Sequence, residues 1–160
     1  MMTPTRQFVG LVLLMALTFA AAGLGSLATA LNFDWYATQV EKPAWTPPGW
    51  IFVPAWAVLF VGMSVAAWLV WRKGGVEASR PALGLYLGQL ALGAVWFWMF
   101  FGLHRPGWAF GEILVLLVAV AATTDAFWQD SAAAGALMLP YLAWLSFAAT
   151  LNWSIWRLNG

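Results

Sequence analysis

The chain has 160 residues, is 63% hydrophobic and only 8% charged, and carries a formal net charge of +1. A soluble globular domain averages about 45–50% apolar and about 25% charged residues. The composition therefore excludes an ordinary water-soluble enzyme, and the low charge excludes a disordered segment. No basic run is present to meet nucleic acid. The absence of cysteine removes disulfides, thiolate metal sites and Cys nucleophiles, and the lone histidine, His104, removes a multi-histidine metal centre. With a mean hydropathy of +0.80, residues 1–160 read as one all-α polytopic membrane domain. Thirteen tryptophans exceed what interfacial belts need.

A spanning helix needs about 20 mostly apolar residues, and five stretches qualify. The first runs from Phe8 to Leu31. Its Arg6, apolar run and Ala20-Ala21-Ala22 also match a cleavable signal sequence. Continuation of the run to Leu31 favours a retained helix. The second stretch runs from Trp50 to Trp71 and stops at Arg72-Lys73-Gly74-Gly75. The third covers Pro81 to Leu103 and stops at His104-Arg105-Pro106; the fourth covers Gly107 to Trp128; the fifth covers Ala132 to Trp156, with Arg157 as an end anchor. Three connections are short, so neighbouring spans are expected antiparallel and packed. The exception is residues 32–49, rich in aromatics and proline, which reads as an ordered loop capping a pocket at one end of a five-helix bundle. Arg6, Arg72, Lys73 and Arg80 lie on one side against Lys42, Arg105 and Arg157 on the other. This balance leans the N-terminal side toward the cytoplasm.

Three spans carry aromatic stripes. Trp56, Phe60 and Met63 share one face of the second; Gln89, Trp96 and Phe100 share one face of the third. Tyr141, Trp144, Ala148 and either Leu151 or Asn152 repeat at three or four residues in the fifth. Converging stripes of this kind build a flat-walled apolar pocket for a large planar ligand; the competing reading is interhelical packing. Glu112 and Asp125 are carboxylates within the fourth span, functional candidates by default, although both lie near helix ends. His104 stands at a membrane edge, which favours a helix cap over an iron ligand, so a tetrapyrrole would be held without an iron–protein bond. No Ser-His-Asp set, phosphate loop or zinc signature is present. Tryptophan is itself redox-active, and photochemistry needs no acid or base. Gly84 and Gly88 form a G-x-x-x-G pair, suited to a homodimer interface or to packing within the chain.

The loop and the later spans carry a recognisable pattern: Trp35-Tyr36, Lys42-Pro43-x-Trp45-x-Pro47-Pro48-Gly49-Trp50, and Phe52-x-Pro54-x-Trp56-x-x-Leu59-Phe60-x-x-Met63. Gln89-Leu90-Ala91-Leu92-x-x-x-Trp96-x-x-x-Phe100-Phe101-Gly102 and Pro140-Tyr141-Leu142-x-Trp144-x-x-Phe147-Ala148-x-x-Leu151-Asn152 follow in order. Over residues 35–152 this resembles the TspO/MBR family, the tryptophan-rich sensory proteins related to the mitochondrial translocator protein, or peripheral-type benzodiazepine receptor. The resemblance implies five transmembrane helices, homodimers in a bacterial inner or outer membrane, and a pocket beneath the first loop. It implies binding of porphyrins (protoporphyrin or haem), sterols and benzodiazepine-like drugs, in sensing, transport or regulation, with no cofactor required. Some members degrade porphyrin in light through pocket tryptophans, which by position are Trp56 and Trp144. The implied ligand contacts are Trp35, Tyr36, Lys42, Pro47 and Trp50 in and beside the loop, then Trp56, Phe60, Gln89, Trp96, Phe100, Tyr141, Trp144, Ala148, Leu151 and Asn152. Lys42 either meets a propionate at the mouth or anchors the loop to lipid head groups.

Three positions depart from the pattern. Gly93 stands where the family usually has Asn, and Trp98, after Phe97, where it usually has Pro, so the pocket is expected to lose a donor and a kink and to gain a ring. The sterol motif has Trp153 where Tyr is expected, between Leu151 and Arg157.

Overall fold

The computed structural model describes residues 3–160. Six α-helices follow in order: α1 Pro4–Leu31, α2 Phe33–Thr38, α3 Gly49–Ala78, α4 Arg80–Phe97, α5 Pro106–Asp130 and α6 Ala132–Asn159. A π-helical turn, Trp98–Gly102, extends α4. Five of these are long and apolar enough to cross a membrane, as the hydropathy requires.

The helix starts follow simple end chemistry. Thr3 caps α1 by accepting from the Arg6 amide at 3.3 Å, with Pro4 in the first turn, where a missing N–H costs nothing. Ser131 likewise caps α6, and Pro81 and Pro106 open α4 and α5. The second span extends past its expected stop at Trp71 to Ala78. Arg72 and Lys73 end the apolar stretch without ending the helix, because both are good helix formers with side chains long enough to reach outward. The Arg72 guanidinium lies over the Trp68 ring at 4.5 Å, and Lys73 donates to the Asp130 carbonyl at the end of α5. The break falls instead at Gly75, whose φ of 71° only glycine adopts freely.

Helix α5 packs against α6 and α4, α3 against α6, and α1 against α3 and α4. Two glycines fit α1 into its place. A Cβ at Gly10 would lie inside the Trp71 ring, and one at Gly25 would strike Phe97. Between these contacts Thr18 and Tyr86 share a buried hydrogen bond of 2.5 Å. The indoles of Trp68 and Trp98 donate to the Gln7 and Leu24 carbonyls.

The connection from α1 to α3 holds the short helix α2 and a turn at 43–46, closed by the Thr46 amide on the Pro43 carbonyl at 3.0 Å. Val40 is buried, and the Asn159 side chain bonds both the amide and the carbonyl of Glu41 at 2.9 Å. This pairing ties the connection to the last turn of α6.

Candidate functional site

The three aromatic stripes meet. Trp56 stands at their centre, stacked on Phe60 with centroids 5.5 Å apart and an interplanar angle of 24°. It is edge-on to Phe97 at 5.5 Å, Tyr141 at 6.2 Å and Trp144 at 6.3 Å. Phe52 and Phe147 pack on Trp144 at 5.9 and 5.5 Å, and Trp45 of the cap packs on Phe147 at 6.0 Å. Helices α3, α4 and α6 thus supply one continuous aromatic cluster, reached from the cap through Trp45.

Polar groups are set into this cluster. The Trp96 indole donates to Asn152 Oδ1 at 2.9 Å, and Asn152 Nδ2 donates to the Pro106 carbonyl at 2.7 Å. One side chain therefore links α4, α5 and α6 in the apolar interior. Replacing Asn152 by Leu is expected to destabilise the fold by about 1–2 kcal/mol, because an indole N–H and a carbonyl lose their partner together. Thermal unfolding in detergent reads this out; an unchanged midpoint would show the link to be dispensable. Gln89 is fully buried and donates weakly to the Met63 sulfur at 3.7 Å. Its Oε1 and the Trp144 Nε1–H are both buried without a hydrogen-bond partner, a costly state unless something else occupies them at times.

The cavity among Trp56, Phe60, Gln89, Gly93, Phe97 and Tyr141 is about 20 Å³, room for one water. Aromatic rings fill what a ligand would need. Here the sequence expectation requires correction. The ring gained in the pocket is Phe97; Trp98 is turned outward, its indole bonded across the α1 backbone to Leu24. Nor is the helix straightened by loss of proline, since the π turn begins at Trp98 itself. A residue added to the helical repeat distorts a helix as a proline does.

The remaining expected contacts divide. Trp35 packs edge-on to Phe100 at 6.1 Å and stacks on His104 at 4.2 Å. Tyr36 lies on Phe101 at 5.4 Å, and burial raises its phenol above the ordinary value. Lys42 is turned inward under the cap: its ammonium donates to the Tyr36 and Val40 carbonyls at 2.6 and 3.0 Å and lies over the Tyr36 ring. Those bonds fold the cap and leave the charge little freedom to meet a ligand. Ala148 and Leu151 are buried, and Pro47 is half-buried. Trp50 is 75% exposed on the first turn of α3 and stands apart from the cluster. Gly84 and Gly88 lie on the outer face of α4, where a Cβ on either would touch nothing within 4 Å. His104 takes φ 54°, rare for a residue with a side chain, and bonds Asn32 Oδ1 at 3.1 Å. Asp125 is exposed and accepts from Gln129 at 2.7 Å, whereas both Glu112 oxygens are buried without a partner. Phe97 is the pocket ring that stripe reasoning missed, its lone signal being adjacency to Trp96; small and aliphatic lining residues such as Ala21, Ala22, Leu116 and Leu145 were missed with it.

Comparison with known proteins agrees with this architecture. The TspO/MBR family model matches residues 11–157. The human translocator protein is 46% identical over 127 residues, covering 78% of this chain and 75% of its own length. The tryptophan-rich sensory protein of Cereibacter sphaeroides is 41% identical over 146 residues, covering 89% and 90%. The tryptophan-rich protein TspO of Chlorobaculum tepidum is 36% identical over 158 residues, covering 96% and 98%. With five spanning helices and a family match over nearly its whole length, the chain is a multi-pass integral membrane protein and belongs to the TspO/MBR family.

Proposed function

We infer that the aromatic cluster is the binding site of a tetrapyrrole, protoporphyrin or haem, and that the protein acts in porphyrin sensing, transport or regulation. The observation that carries this reading is the Trp144 indole N–H, buried beside Trp56 with no acceptor. Such a donor among flat rings suits a planar ligand with an acceptor at its edge. Sites for molecules of this size enclose about 300–1,000 Å³, far above the 20 Å³ cavity here, so ligand entry must displace rings. Phe97 is one of the rings that line the small cavity and would have to be displaced. The open glycine stripe on α4 offers close approach to a second copy, in keeping with a homodimer.

Binding gated by such opening is slow to associate. Protoporphyrin added at micromolar concentration should quench a large share of the tryptophan emission, with an association rate constant below about 10⁵ M⁻¹s⁻¹. Stopped-flow fluorescence in detergent micelles measures both. A titration without quenching would remove the tetrapyrrole reading, and diffusion-limited association would show that a preformed chamber exists.

A second reading, light-dependent breakdown of the porphyrin, has one observation in its favour: two oxidisable indoles, Trp56 and Trp144, lie 6.3 Å apart at the centre of the cluster.

A further inference from the structure

A larger cavity than the one in the aromatic cluster lies elsewhere. A groove of about 550 Å³ opens between α2, the α4–α5 connection and the last turn of α6, well within the range of small-molecule sites. Trp35, Trp108 and Trp156 line it together with the polar residues His104, Arg105 and Asn159. The α4–α5 connection separates two membrane-spanning helices, so the groove sits at the level of the lipid head groups. Trp108, 70% exposed, is placed as interfacial indoles usually are.

Among the side chains that line the groove, the charge is one-sided. Arg105 is exposed, and its guanidinium has no hydrogen bond or ion pair among the described residues. No Asp or Glu side chain lines the cavity. Its neighbour His104 is already committed, stacked on Trp35 and bonded to Asn32, so the rim is held in shape while the arginine stays free. The first turn of α5 starts at the same place with no side-chain cap, and its open amides add to an anion site whose cavity and guanidinium already define it. A guanidinium fork beside amide donors fits a tetrahedral phosphate better than any neutral group.

We propose that this groove is a headgroup site for a phospholipid of net negative charge, its phosphate held by Arg105 and its glycerol region laid against Trp108 and Trp156. The groove meets the aromatic residues only at Trp35, which packs on Phe100, and its proposed contacts Arg105, Trp108 and Trp156 are not among those assigned to the tetrapyrrole, so it stands or falls independently of tetrapyrrole binding. Lipid and free phosphate share the recognised chemistry; the cavity at headgroup depth and its indole walls favour the lipid.

Native mass spectrometry of the full chain, released from neutral detergent with added phosphatidylglycerol or phosphatidylcholine, tests this. Phosphatidylglycerol should be retained about fivefold better than phosphatidylcholine, and Arg105→Gln should remove that preference, the effect of one cationic contact with an anionic lipid. Arg105→Lys should restore much of it. Arg157→Gln, at a cation near the same end of the bundle but outside the groove, should change nothing. Millimolar inorganic phosphate should leave the bound lipid in place. Retention of the preference in Arg105→Gln, or its equal loss in Arg157→Gln, would overturn the proposal. Displacement by inorganic phosphate would overturn the lipid assignment and leave a free-phosphate site. Circular dichroism of each variant separates lost binding from lost fold.

Discussion

Replacing Trp144 by Ala is expected to weaken protoporphyrin binding roughly thirtyfold. The change removes a large ring from the wall of the cluster and the buried N–H that has no partner in the chain. A ring contact and a hydrogen bond of this kind together contribute about 2 kcal/mol, which is about thirtyfold in Kd. Trp153→Ala serves as the control, because Trp153 lies on the same helix and is 47% exposed, away from the cluster. Fluorescence titration with protoporphyrin distinguishes the two, and equal losses would move the site out of the cluster. Trp144→Phe then separates binder from enzyme. It keeps a ring for stacking but removes the N–H and is harder to oxidise. Under the enzyme reading, binding weakens modestly while light-dependent loss of porphyrin absorption falls steeply. If both proteins bleach the pigment as fast as detergent alone does, the protein binds without turnover.

Gly135→Ala is expected to be the most damaging small substitution in the molecule. A Cβ at this position would lie 2.4 Å from the Trp128 ring and 2.8 Å from the Trp128 Cα. A flexible side chain can yield, but a backbone atom one turn before a tight interhelical corner cannot. The cost should reach about 3 kcal/mol, the upper end for overpacking, and appear as loss of folded protein in size-exclusion profiles and a lower unfolding midpoint. Gly84→Ala, where the added methyl meets nothing within 4 Å, should leave the monomer's midpoint unchanged. Similar behaviour of the two variants would mean that the α5–α6 corner is more pliant than its packing indicates.

Much of this was legible in the residues. Five apolar runs gave five spanning helices, because a bilayer sets helix length. The helical repeat placed Trp56 with Phe60, and Trp96 with Phe100, on common faces, and these pairs do stack or tilt together. What the repeat did not show was which ring fills the centre. Phe97 lies about 100° round the helix from Trp96, yet the bundle brings it against Trp56. Spacing predicts a face; it does not show how far a neighbouring helix wraps around that face. Lys42 was equally opaque. Its charge suggested a ligand or the membrane surface, whereas its bonds to two carbonyls six and two residues earlier make it a brace for the cap. The Trp96–Asn152 bond spans 56 residues of sequence, and only the polarity of Asn152 within an apolar stripe hinted at it.

The way α1 is fixed bears on how the protein assembles in time. Its hydrogen-bonding partners lie 61, 68 and 74 residues further along the chain, and the rings that fill its two glycine notches come from α3 and α4. During synthesis the first helix enters the bilayer with none of these groups yet made. It waits in lipid as a lone span, stable there because its backbone bonds are satisfied internally; α3 can meet it first through Trp68 and Trp71, and the Tyr86, Phe97 and Trp98 contacts form only when α4 has been inserted. Closing the bundle is therefore a late event between elements distant in sequence, and two notches about four turns apart allow it a single register.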